Sequence, residues 1–203
     1  MVLAKLRSVF AGRPQILLNA GHPTLRTKAL PVDPTTLQNP NIQRVITQMR
    51  LVFDSPYTPV VGLAAPQIGH PLRIIAYRIT DPAILTSKSI PKPIPLTFLV
   101  NPVLTITDKR HPREWNAEYE SCESVPMYNA VVRRAEKVHV QGIGLEGERV
   151  AVNANGFLAR VLQHEIEHLD GKLFVDVMEA GSLRHDKYID KYEFREQREQ
   201  RKK

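Results

Sequence analysis

Residues 163–171 read Gln163-His164-Glu165-Ile166-Glu167-His168-Leu169-Asp170-Gly171, and the architecture of the chain turns on them. They close a segment, residues 155–169, in which Phe157, Leu158, Val161 and Leu162 recur at helical spacing on one side. Each helical residue advances by about 100°, so His164 and His168 project about 40° apart, one turn from each other. Both imidazoles can therefore reach a single ion. Glu165 follows the first of them directly, within reach of a water on that ion, which is where a general base must stand.

The third ligand decides what kind of site this is. In metzincin proteases a third histidine follows three residues after a glycine, and here that place is taken by Phe174, whose apolar ring cannot bind a metal. A downstream carboxylate such as Glu179 could serve instead. However, Gly171 and Gly181 interrupt the region, and the residues between them read as a strand, not as the helix such a ligand needs. Cys122 remains. It is the chain's single cysteine, so no disulfide can form within the chain. A lone Cys is most often a small buried hydrophobe. Beside two imidazoles it becomes a candidate for a Cys-His-His site with an open fourth position.

Outward from this segment, residues 40–54 place Ile42, Val45, Ile46, Met49, Val52 and Phe53 at helical spacing, with Asn39 or Asn41 available as cap. The runs 72–79 and 96–104 are β-rich and bounded by prolines, so they read as strands. Between them, residues 81–95 carry four prolines and read as a loop. Residues 130–141 and 149–152, with Gly142, Gly144 and Gly147 between, predict an antiparallel pair joined by a turn. Strands outnumber helices and the hairpin signals are local, which predicts an α+β fold with antiparallel sheets around a central metal-binding helix. A length of 203 residues with 42% hydrophobic content favours one domain, placed at residues 16–182.

Charge marks the two appendages. The net +7 is unevenly spread, with no Asp or Glu before Asp33. Residues 1–15 are basic and mildly amphipathic and lack an apolar h-region, which fits a transit-peptide remnant or a plain disordered terminus. Residues 183–203 are dense in charge, with a weak stripe of Tyr188, Ile189, Tyr192 and Phe194, and read as a solvated helix ending in Arg201, Lys202 and Lys203. No apolar run approaches the roughly 18 residues of a membrane span, so a soluble chain is expected. Internal repeats and phosphate-binding glycine loops are absent from the sequence.

Three segments, in order, resemble the motifs of peptide deformylases: Gly62-Leu63-Ala64-Ala65-Pro66-Gln67, then Glu120-Ser121-Cys122-Glu123-Ser124, then residues 163–171. With Gly21-His22-Pro23-Thr24-Leu25-Arg26, which resembles the family's opening segment, the likeness spans roughly residues 16 to 180. Two positions depart from the usual second motif, which has Gly where this chain has Ser121 and most often Leu where it has Glu123. Glutamate after the cysteine resembles the mitochondrial branch of eukaryotic deformylases, which favours a mitochondrial location over a bacterial-type cytoplasmic one.

The resemblance implies hydrolysis of the N-formyl group of formyl-methionine on nascent proteins. It implies a metal on Cys122, His164 and His168, Glu165 as base and then acid, and an oxyanion held by the Gln67 side chain and the Glu123 backbone N–H. Gly62 is expected to pair with the extended peptide, and Val61, Phe157 and Val161 to line a methionine pocket. Thiolate plus imidazole suits Zn(II), Fe(II) or Co(II), and the resemblance points to Fe(II). Formylated nascent peptides are the implied partners, and the basic tail could dock near ribosomal RNA. Two other readings stand beside this one. One is a zinc endopeptidase using Glu179 or another carboxylate as third ligand; the other is a weakly active deformylase-like protein that binds formylated chains.

Overall fold

The computed structural model describes residues 17–57 and 59–189. The expected N-terminal appendage and the tail from residue 190 lie outside the described residues. Element order is β1 (Gly62–Ala64), β2 (Ile74–Ile79), β3 (Ile94–Ile106), β4 (Asn116–Ser121), β5 (Tyr128–Arg134), β6 (Lys137–Ile143), β7 (Arg149–Asn155) and β8 (Arg184–His185). Helix α1 (Pro40–Phe53) precedes β1, α2 (Pro82–Ser87) follows β2, and α3 (Gly156–Leu169) follows β7.

Two antiparallel sheets result. One has the order β1-β2-β3-β6-β7 and the other β4-β5-β8. Apolar periodicity explains how the larger sheet is covered. Along β2, Ile75 and Tyr77 face one core with Leu99, Val138 and Val140, while Ile74 and Ala76 face a second core with Phe98 and Val100. A strand buried on both faces reads as a continuous apolar run, as residues 74–77 do. Helix α1 covers the second face with Val45, Ile46, Met49 and Val52. Helix α3 covers the first with Ala159, Leu162, Ile166 and Leu169, a stripe at spacings of three and four. Fully burying one such Leu or Ile stabilises by about 1.5–3 kcal/mol, so the motif helix is fixed by its apolar face and leaves its polar face for the site. The α+β arrangement, with antiparallel sheets around the motif helix, matches the expectation.

Several local expectations need correction. Helix α1 begins as expected, with Asn39 accepting from the Asn41 N–H at 2.9 Å. Residues 81–95 are not all loop, because Asp81 accepts from the N–H groups of Ala83 and Ile84 and starts α2 with Pro82 at its first position. Residues 130–141 are not one strand. The chain leaves the small sheet after Arg134 and enters the large one at Lys137, so that β6 and β7 form the expected hairpin. Between Gly171 and Gly181 a 3-10 turn, Phe174–Asp176, and a single bridge from Met178 to Val132 replace the expected strand. The start of the charged tail is not helical in the expected way: β8 pairs with β5 and a 3-10 turn, Asp186–Tyr188, follows it.

Candidate metal centre and active site

Helix α3 carries His164, Glu165 and His168, with His164 against Glu120 of β4 and Glu165 against Gly62 of β1, and Cys122 follows the last residue of β4. The Sγ of Cys122 and one nitrogen of each histidine all lie within 4.8 Å of one another. Cys122 Sγ is 3.3 Å from His168 Nε2. A tetrahedral ion with a metal–sulfur bond near 2.3 Å and metal–nitrogen bonds near 2.0–2.1 Å needs sulfur and nitrogen roughly 3.6 Å apart, so the cage has the right size. Cys122 and His168 are buried, and the His164 side chain is 11% exposed. Glu179 is not part of this group. Its carboxylate pairs with Arg133 at 2.5 Å, and among the described residues no carboxylate joins the cluster as the endopeptidase reading would need.

Behind His164 stands Glu120. Its Oε2 lies 3.1 Å from His164 Nδ1, directing the other ring nitrogen towards the thiol. Arg134 binds both Glu120 oxygens at 2.9 Å, Arg160 adds a third contact at 2.7 Å, and Arg134 also pairs with Glu167 at 2.6 Å. Burial alone would push the Glu120 carboxyl up, but the bonds from His164 and Arg134 outweigh it and hold its pKa well below the usual range. Burial disfavours a charged His164 as well. There the Cys122 sulfur and the Glu120 carboxylate prevail and raise its pKa. For His168, burial and the neighbouring His164 act together and depress its pKa.

Glu165 is 4% exposed, and its burial raises its pKa to about 7. Its Oε2 is buried with no hydrogen-bond partner, an acceptor left open beside the donor cluster. Gly62 makes room for it. A Cβ on Gly62 would run into the Glu165 side chain, from Oε1 back to Cγ, so this position of the first motif needs glycine.

Gln67 closes the opposite side. It is the third residue of the 3-10 turn Ala65–Ile68 after β1, and Gly69, with φ of 88°, lets the chain leave that turn. The Gln67 Oε1 accepts from the Ala64 N–H at 2.8 Å. Its Nε2 donates towards Ser124 Oγ at 3.3 Å and lies 3.5 Å from Cys122 Sγ.

These groups surround a cleft of about 150 Å³. Val61, Gly62, Gln67, Cys122, Glu123, Phe157, Val161, His164 and Glu165 all line it, while His168 lies buried behind them. Gly62 of β1 lines the cleft, and among the described residues β1 is an edge strand paired with β2 alone. Glu120, Arg134, Arg160 and Ser124 were assigned no role from sequence. For Arg160 a signal existed, since it precedes His164 by four and shares its helix face. Arg134 gave none, because its partners are 14 and 33 residues away along the chain.

A thiol and two imidazoles around one point, with a buried carboxylate beside them, are a donor set that could hold one metal ion. Residues 14–183 match the polypeptide deformylase family, and the chain belongs to it. It is 40% identical over 180 residues to the chloroplastic/mitochondrial peptide deformylase 1A of Arabidopsis thaliana, covering 84% of this chain and 63% of that one. It is 36% identical over 190 residues to the mitochondrial peptide deformylase of Homo sapiens, covering 88% and 75%. Among solved structures, a peptide deformylase from Acinetobacter baumannii superposes with a TM-score of 0.67 at 30% identity, covering 82% of this chain and 99% of that one.

Proposed function

We propose that this protein removes the N-formyl group from the N-terminal formyl-methionine of newly made chains, releasing formate. One observation carries the reading. The buried, partnerless Oε2 of Glu165 lies next to the Cys122–His164–His168 cluster in a chain of this family.

Cys122, His164 and His168 would hold a divalent ion, which would supply Lewis acidity and make a water acidic enough to give up its proton near neutral pH. Glu165 takes the proton from the attacking water and then delivers it to the departing amine, so the formamide C–N bond breaks and formate leaves. A carboxyl raised to about 7 by burial suits both tasks. The amide of Gln67 and the backbone N–H of Glu123 donate to the oxygen that gains charge at the former carbonyl. The substrate backbone adds along the free edge of β1 at Gly62, and its methionine side chain enters between Val61, Phe157 and Val161. Thiolate and imidazole donors accept Fe(II), Zn(II) and Co(II), and family likeness favours Fe(II).

An organellar, mitochondrial location is supported by the names of the Arabidopsis and human relatives and by Glu123 after the cysteine. Docking of the basic tail near the ribosome belongs to the same reading. Formate release from a formyl-Met peptide, with metal measured on the same sample, tests it. Turnover by protein holding one metal per chain is expected. Metal-loaded protein that binds the peptide without releasing formate would instead support a weakly active binder, the reading that Ser121 favours.

A further inference from the structure

The Gln67 amide is held from three directions. Ala64 N–H fixes its oxygen, Ser124 Oγ accepts from one of its two N–H groups at 3.3 Å, and the second donates towards Cys122 Sγ at 3.5 Å. Gln67 and Ser124 sit on different loops, 57 residues apart in sequence, and neither loop lies in a sheet strand at these residues. What keeps the two loops at a fixed separation is a third piece of chain. Leu18 N–H donates to the Gln67 carbonyl at 2.8 Å, and two residues on, Ala20 N–H donates to the Ser124 carbonyl at 2.7 Å. Residues 18–20 thus bridge the loop after β1 and the loop after β4, bonding to the very residues whose side chains meet beneath. Both bonds use backbone N–H groups, so no side-chain pattern announces them. Ser124 is fully buried, so a shift of its loop cannot be absorbed by solvent.

We propose that residues 18–20 are a positioning strap for the Gln67 amide. By tying the Gln67 and Ser124 backbones together, the strap holds that amide's Nε2 beside the Cys122 sulfur, where it can donate to the reacting carbonyl oxygen. Its catalytic consequence rests on the oxyanion role given to Gln67 above. Geometry errors of about 1 Å at such a donor cost up to about a hundredfold in rate, and outright removal of one oxyanion donor costs about 10²–10³. Loosening the strap should therefore lower kcat by about tenfold to a hundredfold while leaving metal content and KM unchanged.

The test uses the full chain loaded with Zn(II). Leu18→Pro and Ala20→Pro each delete one strap N–H, Ser124→Ala deletes the hydroxyl under the amide without touching the strap, and Asn19→Ala, at an exposed side chain, is the control. Each is measured alone and in a Gln67→Ala background, with thermal melting to establish folding. The Gln67 side-chain amide signal, assigned by its loss in Gln67→Ala, is followed by ¹⁵N–¹H NMR. The strap requires that either proline shift this signal towards that of a free amide and lower kcat in wild type but not in the Gln67→Ala background. Should a proline variant fail to fold, the other proline variant carries the comparison, and Ser124→Ala must still move the signal. Equal losses in both backgrounds, or an unmoved amide signal, overturn the proposal. A Gln67→Ala variant with unimpaired kcat overturns the oxyanion role instead, and the NMR result then still decides whether the strap positions the amide.

Discussion

His164 Nδ1 lies 3.1 Å from Oε2 of Glu120, a carboxylate whose side chain is 5% exposed and which also accepts from Arg134 and Arg160. One anion thus orients a histidine of the metal cluster and compensates two buried guanidinium groups. Glu120→Gln keeps the shape and removes the charge. It should weaken metal affinity by about 10–100-fold, and lower stability by about 3 kcal/mol because two buried cations lose their shared anion. Metal titration against a competing chelator and denaturant unfolding of the same protein would measure the two effects. Unchanged metal affinity would remove Glu120 from the site.

Cys122→Ser replaces a soft thiolate with a hydroxyl that stays protonated near neutral pH. Metal retention after dialysis should fall sharply, and activity with it. Full metal content and activity in this variant would leave the Cys-His-His reading untenable.

Glu165→Gln separates binding from chemistry. Glu165 is outside the donor cluster, so metal content should be unchanged, while formate release should fall by about 10²–10⁴-fold through loss of the proton carrier. If metal is lost instead, Glu165 acts as a ligand.

Acid stability should depend on an ion pair remote from the site. Arg26, in the opening segment, pairs with Asp176 after the motif helix, and Asp176 also accepts from the Leu173 N–H at 2.8 Å. Burial alone would raise the Asp176 pKa, but these two donors outweigh it and lower it below 3.8. A depressed carboxyl contributes stability that is present above its unfolded pKa and is lost as pH falls through the folded value. Both side chains are substantially exposed, so the pair is worth no more than about 0.5–1 kcal/mol, or about 1–4 °C in Tm. The Tm gap between wild type and Asp176→Asn should therefore shrink as pH drops from about 5 to about 2. A gap independent of pH would mean that the charge is not what stabilises.

How legible the chain was depends on the range of each interaction. Helix α3 and its histidines were readable because the stripe and the His-x-x-x-His spacing are local and obey one period. Helix α1 was readable for the same reason. Helix α2 was missed because Pro91, Pro93 and Pro95 suggested loop throughout, although Asp81-Pro82 is an ordinary helix start. The break at Ala135-Glu136 was missed because both flanking runs are β-rich, and only pairing in space shows that they belong to different sheets. Cys122 could be nominated by elimination. The Glu120–Arg134–Arg160 network could not, since its members gain their meaning from contacts across 14 to 44 residues.

The two unusual positions of the second motif should act through different physics. Ser121 ends β4 in register with Asn129 and is exposed, and its φ is not in the left-handed region, so the backbone there does not require glycine. What its side chain can disturb is the approach of the peptide along the cleft wall that it helps to line. Ser121→Gly should therefore raise kcat/KM for formyl-Met peptides at constant metal content. Glu123 offers its backbone N–H whatever its side chain, so Glu123→Leu should leave the oxyanion contact in place. Its carboxylate, on the cleft lining, should repel acidic residues that follow the formyl-methionine, and salt should screen that repulsion. Steady-state kinetics on neutral and acidic peptides at low and high salt separate the two. The account of Ser121 fails if Ser121→Gly brings no gain in kcat/KM, and that of Glu123 fails if Glu123→Leu discriminates against acidic peptides at low salt as strongly as wild type does.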